Sequence, residues 1–176
     1  MAVTIDATVG GASANSFVLL AAATTYAEGK FPAPSTWTSA SDDDKNRALV
    51  SATRWLSGLS WVGERVDTTQ VLSWPRQDAT NPDDPSGFDY STTALPTRVT
   101  DATCELALAF VAAGTTDIAA LPSSDGIIRK TVDVLTTEYA APYLRAKALD
   151  RYPSVKRLIA PLLASTRGAT STVVRG

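Results

Sequence analysis

The sequence predicts a mainly α-helical protein: a small bundle of about four helices with one β-hairpin or ribbon and extended N- and C-terminal arms. Apolar residues recur at helical spacing in several segments, and glycines or prolines stand where those helices should stop or kink. One stretch near residues 126–139 has the composition of strands. Hydrophobic residues make up 44% of the 176 residues, enough for one core. We therefore expect one domain over residues 1–164 and a flexible tail over residues 165–176.

The N-terminal part predicts an arm and a first helix. Residues 1–15 are small and polar, include Gly10-Gly11, and are expected to form an arm or loose strand. Residues 15–18 are expected to be extended. An alanine-rich helix should cover residues 20–28, because Gly29 is placed to end it.

The second helix should begin after Ser41, a good N-cap, and end at Gly58. Residues 42–44 are three aspartates, which in a first helical turn accept free backbone N–H groups and favour the positive end of the helix dipole. They could instead ligate a metal ion. Capping is favoured, since consecutive carboxylates at a helix start point in different directions. One apolar face is formed by Ala48, Leu49, Ala52, Trp55 and Leu56.

Residues 59–95 predict largely non-helical structure. Residues 59–62 and 71–74 mix apolar and aromatic side chains, as short strands or packed loops do. Residues 77–94 form a long polar loop of a length that is usually functional or mobile. Its oxygen ligands could serve calcium, but their spacing lacks the pattern of a helix-loop-helix site and prolines intervene, so no metal is expected.

The third helix should lie between Pro96, which suits a first turn, and Gly114, which suits a C-terminal stop. Cys104 falls within it, with no basic partner near in sequence. A small buried hydrophobic role is therefore favoured over a nucleophilic one. The apolar positions of this helix are Val99, Ala102, Cys104, Leu106, Ala107, Phe110 and Val111.

The C-terminal part predicts two strands and a last helix. Residues 127–132 and 134–139 should form a hairpin or one bent ribbon that turns near Asp133. Residues 154–164 carry apolar side chains at helical spacing, and Pro161 should kink or loosen that helix.

Composition narrows the functional classes. The chain has no histidine, and Cys104 is its single cysteine. These counts exclude a Ser-His-Asp triad, a Cys-His dyad, an internal disulfide and most zinc sites. Lysine- or carboxylate-based catalysis is the alternative that composition leaves open; we expect no enzyme activity and no cofactor. No long apolar run predicts a membrane helix, and the N-terminus lacks a secretory pattern, so we expect a soluble protein made in a cytoplasm.

Charge is divided unevenly along the chain. Residues 1–128 carry 7 Lys+Arg and 15 Asp+Glu, a net −8, whereas residues 129–176 carry 9 Lys+Arg and 3 Asp+Glu, a net +6. Such polarity suits complementary faces of a head-to-tail ring. An acidic body that folds against its own basic C-terminal segment is the equal alternative.

Short strings in a fixed order carry a family resemblance. They are Ala14-Asn-Ser-Phe-Val18, Tyr26, Trp37-Thr-Ser-Ala-Ser41, Lys45, Ala52-Thr-Arg-Trp-Leu56, Trp61-Val-Gly-Glu-Arg65, Leu72-Ser-Trp-Pro-Arg76, Leu95-Pro96, Asp101-Ala-Thr-Cys-Glu-Leu-Ala107 and Leu158-Ile-Ala-Pro-Leu-Leu163. In this order they resemble the head–tail connector proteins of tailed bacteriophages, also called adaptors or head-completion proteins and often labelled "DnaT-like single-stranded-DNA-binding". Asp133 departs from the pattern, since a turn glycine is usual there.

The resemblance implies a structural subunit of the phage neck. Relatives form a ring, commonly of twelve copies, that docks on the portal protein, extends the DNA channel and meets a stopper or tail protein below. The expected localisation is the head–tail neck of the virion, reached from the host cytoplasm during assembly. Genomic DNA would pass through the channel without sequence-specific binding, and no membrane partner is expected.

Two sets of site residues follow from the resemblance. Adaptors often dock on the portal by a C-terminal arm, so the expected portal-binding residues are Arg167, Thr170, Val173, Val174 and Arg175. Arginines recur in the resembling strings and could pair with carboxylates across a subunit interface or within the chain. The expected interface residues are Arg54, Arg65 and Arg76.

Two other functions compete with the adaptor. A single-stranded-DNA-binding protein needs a cationic groove and exposed aromatic platforms. Four tryptophans are candidates (Trp37, Trp55, Trp61 and Trp74), but a pI of 5.1 and the acidic surroundings argue against a strong phosphate-binding surface. A stopper or tail-completion protein is the other alternative, which would bind only after an adaptor.

Overall fold

The computed structural model describes residues 3–116, 129–132, 135–138 and 148–164. Within these ranges the protein is mainly helical, as predicted, with five α-helices and a β-hairpin. The helices are α1 (Leu20–Glu28), α2 (Ser35–Ser39), α3 (Asp42–Ser57), α4 (Thr97–Ala113) and α5 (Pro153–Ile159). All except α2 were predicted close to these bounds. No described helix is long and apolar enough to cross a membrane.

Helix α4 is the centre of the bundle. Helices α3 and α5 pack along it, and α1 and α2 also contact it. A helix surrounded in this way needs apolar or small residues on most of its circumference. Its buried residues are Val99, Ala102, Thr103, Cys104, Leu106, Ala107, Leu108 and Phe110. Gly114 ends it in the left-handed conformation at φ +66°, as its sequence position predicted.

The start of α3 confirms the capping prediction. The Asp44 backbone N–H donates to Ser41 Oγ at 3.2 Å, and Ser41 Oγ donates to Asp44 Oδ2 at 2.7 Å. Asp43 and Asp44 form ion pairs with Arg47. Among the described residues there is no group of three or more side chains arranged to hold a metal ion.

The N-terminal segment is extended, as predicted, but it is fastened to the bundle. The Val3 N–H donates to Asp43 Oδ1 at 2.8 Å, and Asn46 Nδ2 donates to the Val3 carbonyl at 2.9 Å. Asn15 closes the segment on itself, since its amide accepts from Asp6 N–H and donates to the Thr4 carbonyl. Residues 3–15 therefore form an extended arm that is held against α3.

The described ranges contain two antiparallel strand pairs. Strand β1 (Glu64–Arg65) pairs with β2 (Arg76–Gln77). Strands were one alternative for residues 59–62 and 71–74; those residues are packed loops instead, in which Trp61, Leu72 and Trp74 are buried, and the short strands follow them. Strand β3 (Arg129–Val132) pairs with β4 (Leu135–Glu138), with Val132 opposite Leu135, which confirms the predicted hairpin.

The last helix is interrupted at the predicted proline. Helix α5 ends at Ile159 and continues as a 3-10 turn, Ala160–Leu162, which contains Pro161. A proline lacks the N–H that an α-helix needs, so the tighter turn takes over. A second 3-10 turn, Ala148–Arg151, precedes α5.

Candidate functional site

The end of the described chain is paired with the loop that follows α3. Val62 N–H donates to the Leu162 carbonyl at 3.0 Å, and Ala164 N–H donates to the Ser60 carbonyl at 2.9 Å. Trp61 and Leu163 form an antiparallel bridge between these two bonds. We call residues 60–63, 74–77 and 162–164 the C-terminal anchor, because they fix the point from which residues 165–176 leave the body.

Two tryptophans give the C-terminal anchor its apolar support. The Trp61 and Trp74 rings meet edge to face at 5.7 Å, and Trp74 meets Tyr90 in the same way at 5.9 Å. The Trp61 indole N–H donates to the Leu56 carbonyl at 3.0 Å, which ties the cluster to the last turn of α3. Edge-to-face pairs add stabilisation beyond that of the buried area.

Arg76 is the polar centre of the C-terminal anchor. Its Nε donates to the Val62 carbonyl at 2.6 Å, Nη1 donates to the Ser73 carbonyl at 3.1 Å, and Nη2 donates to the Gly63 carbonyl. Partial burial lowers the pKa of this guanidinium, and the neighbouring Arg65 adds to the effect. Gly63 has φ +67°, and a Cβ there would collide with the Gln77 carbonyl oxygen.

The predicted interface arginines have different surroundings. Arg76 donates to backbone carbonyls of its own chain rather than to a carboxylate, and its place at a subunit interface stays a prediction. Arg65 is exposed, and its Nη1 lies 3.4 Å from the Gln70 carbonyl oxygen. Arg54 is exposed in the last turn of α3. The structure brings Arg65 and Arg76 together on the paired β1 and β2. Nothing in the sequence indicated that Arg76 would bind three carbonyl groups from residues distributed over two loops.

The expected portal-binding residues, Arg167, Thr170, Val173, Val174 and Arg175, lie outside the described residues. Their placement therefore stays a prediction. The last described residue before them, Ala164, donates a hydrogen bond to the Ser60 carbonyl.

Chemically reactive groups are found in structural settings. Cys104 is buried in α4, and burial, with smaller contributions from Asp101 and Glu105, raises the pKa of its thiol to about 12. A neutral buried thiol is a poor nucleophile, as predicted. Glu105 accepts from Tyr26 Oη at 2.7 Å and pairs with Lys30, which joins α1 and the following loop to α4. Burial first, and then Glu105, raises the pKa of the Tyr26 hydroxyl.

A groove of about 630 Å³ opens between α2, the start of α3 and the end of α4. Phe110 and Val111 line it on one side, and Asp44 and Arg47 line it on another. Since Arg47 is already paired with Asp43 and Asp44, the groove presents no free charge pair at this rim.

The tryptophans do not form a platform for bases. Trp37 is 2% exposed, Trp61 5% and Trp74 1%, and Trp55 is half-buried. Within the described ranges, the exposed large aromatic rings are Phe31, which is fully exposed, and Phe88, which is 69% exposed. The short strings that contain the tryptophans therefore build the core and the C-terminal anchor.

Comparison with known proteins gives one finding. A family model described as "Putative DnaT-like ssDNA binding protein" matches residues 1–176. The chain belongs to this family. The description names single-stranded DNA binding and makes no mention of a phage neck. No curated protein and no solved structure matches the chain.

Proposed function

We propose that this member of the DnaT-like family is a structural subunit of the tailed-phage neck, a ring that docks on the portal and connects the head to the tail. The observation that carries the proposal is the C-terminal anchor. It holds Ala164 at a fixed point on the body, from which the basic segment 165–176 starts. A segment with no core pattern gains order by binding a partner, and a ring of such segments binds through multivalency.

The resemblance of the ordered sequence strings supports the same role, and so does the burial of their aromatic residues. Structural subunits need these side chains for the fold rather than for ligands. The acidic surface also fits a channel along which DNA slides, because residues 3–116 carry 7 Lys+Arg and 13 Asp+Glu, a net −6. A surface with this charge repels phosphate groups.

Electron microscopy of the chain mixed with the portal of its own virus tests the proposal. The full chain should add a ring to the portal, and the chain without residues 165–176 should add none. Arg167→Glu and Arg175→Glu together should weaken docking, whereas Arg167→Lys and Arg175→Lys together keep the charge and serve as the control. A full chain that leaves the portal bare contradicts the adaptor; a ring that forms only after another neck protein has bound identifies a stopper.

Single-stranded DNA binding is the second candidate, and the family description supports it more directly than it supports the neck. Among the described residues its aromatic contacts would have to come from Phe31 and Phe88, because the tryptophans are largely buried. Exposed cations for the backbone would be Arg54, Arg65 and Arg157.

Fluorescence anisotropy with a labelled oligothymidylate separates the two functions. A DNA-binding protein should bind tightly at low salt, lose affinity steeply as salt rises, and weaken when both phenylalanines are changed to serine. Tight binding of this kind, together with a bare portal, would overturn the neck proposal in favour of the family description. Weak binding that the phenylalanine changes leave unaltered would count against the second candidate.

A further inference from the structure

The polar loop between β2 and α4 forms a small ordered projection, which we call the finger (residues 78–90). Thr80 and Asp89 form an antiparallel bridge, Asn81 N–H donates to the Phe88 carbonyl at 3.0 Å, and Tyr90 N–H donates to the Ala79 carbonyl at 2.9 Å. These bonds give the loop the form of a short hairpin with its tip near Gly87. The finger is therefore a fixed surface feature.

The finger presents an aromatic ring among carboxylates. Phe88 is 69% exposed near the tip. The finger contains four aspartates and no basic residue. Asp83 is bound by Arg98, whose Nε and Nη2 donate to its two oxygens at 2.7 and 2.5 Å. Asp78 and Asp89 are exposed. An apolar ring flanked by negative charge fits a basic partner surface with aliphatic stems or guanidinium groups.

A surface of that chemistry lies on α5 of the same chain. The finger joins the start of α4 through Arg98, whereas α5 begins near the end of α4, where Tyr152 meets Phe110 edge to face at 6.4 Å. Arg98 and Phe110 are 12 residues apart on one helix, about 18 Å. Helix α5 exposes Lys156, which pairs with Asp150 at 2.5 Å, and Arg157. Residues 148–164 carry three basic residues and one acidic residue.

We propose that the finger of one copy docks on α5 of a second copy, with Phe88 against the Arg157 side chain and Asp89 facing its charge. This inference rests on the proposed ring and specifies the contact that would build it. Because the finger and the exposed face of α5 are different surfaces, the contact is head to tail, the kind that continues from copy to copy and can close into a ring. Opposite charge fixes the partner and the register.

Cysteine cross-linking tests the contact directly. Cys104 is the chain's single cysteine and is buried, so cross-links between chains form through the introduced cysteines. Ser86→Cys lies on the finger and Ser154→Cys on α5, and both positions are exposed. The chain carrying both changes should form a disulfide-linked ladder of dimers, trimers and larger species under mild oxidation. Each single variant should stop at dimers, and Ser39→Cys with Ser154→Cys is the control pair. Absence of a ladder above this control overturns the proposal.

Charge reversal separates this contact from chance collision. In the double-cysteine chain, Asp89→Lys or Arg157→Asp alone should reduce the ladder about tenfold. Both changes together should restore it. Phe88→Ser should reduce it similarly while circular dichroism stays unchanged. If none of these changes alters the amount of cross-linked species, the proposal is contradicted.

The two proposals fail separately. A ladder with no ring on the portal keeps the finger contact and removes the neck function. A ring on the portal without the ladder keeps the neck function and removes the finger contact.

Discussion

At the scale of single residues, Arg76 shows how a charged side chain can supply hydrogen-bond donors to backbone carbonyls. Its guanidinium donates to three carbonyl groups that no strand or helix satisfies. A buried carbonyl without a donor costs about 1–3 kcal/mol. One arginine therefore satisfies three carbonyls that would otherwise each need a separate hydrogen-bond donor. The sequence predicts that Arg76 pairs with a carboxylate, across an interface or within the chain. It does not predict these carbonyl contacts, because the two loops that Arg76 joins are brought together only in three dimensions.

Changing Arg76→Leu should lower the free energy of unfolding by about 2–4 kcal/mol, since three carbonyls lose their donor. Urea denaturation followed by circular dichroism measures this loss. Arg54→Leu, an exposed arginine without a described ion pair, is the control and should change stability by less than about 0.5 kcal/mol. Equal effects of the two changes would contradict the role given to Arg76.

Cys104 makes stability depend on pH in the alkaline range. Burial raises the pKa of its thiol from 9.0 to about 12, so between these values the unfolded chain releases a proton that the folded chain keeps. Stability from this group is complete below pH 9 and decreases as pH rises toward 12. Cys104→Ala should make the decrease between pH 9 and pH 12 shallower. Thermal melts across that range measure the slope; an unchanged slope contradicts the assignment.

At the scale of elements, the sequence predicts helices best where caps and periodicity agree. Ser41 with three aspartates marks the start of α3, and Gly114 marks the end of α4. Helix α2 could not be predicted in this way, since its five residues include two threonines and a tryptophan and have no side-chain cap. It forms because Trp37 is buried against the core. Tertiary burial, which propensity does not contain, decides such short elements.

The turn before β1 gives a test at this scale. Gly63→Ala should destabilise the chain by more than about 2 kcal/mol, because a Cβ would meet the Gln77 carbonyl and φ is +67°. Gly87 has a similar φ of +71°, but a Cβ there meets nothing within 4 Å. Gly87→Ala should therefore cost only the conformational term, about 1 kcal/mol. The difference between the melting temperatures of the two variants measures the cost of the steric collision apart from the cost of the positive φ angle.

At the scale of the whole molecule, the described part of the chain consists of one helix surrounded by four others, and residues 162–164 complete its packing. Composition predicted a single core, and periodicity predicted most of the helices around it. The pairing of residues 162–164 with 60–62 joins segments about a hundred residues apart, which no local pattern encodes. The sequence therefore predicts the candidate site only in part. It singles out residues of the C-terminal anchor, but it does not predict that they lie together.

Two truncations test this description. Removing residues 165–176 should leave the melting temperature nearly unchanged, because the described core ends before them. Removing residues 160–176 should lower it sharply, since Leu162 is fully buried and its carbonyl accepts from Val62. Differential scanning calorimetry of both shortened chains gives the comparison. Similar losses from both truncations would mean that residues 165–176 also stabilise the body.

The pairing of residues 60–62 with 162–164 also bears on synthesis of the protein. A nascent chain emerges from the ribosome with its N-terminus first, so Trp61 leaves the exit tunnel long before its partner Leu163. During that interval the central helix lacks α5, and its apolar side chains have no cover on that flank. Until α5 and residues 162–164 have emerged, the nascent chain exposes this flank to proteases and chaperones, and the bundle is completed only when those residues can pair with residues 60–62.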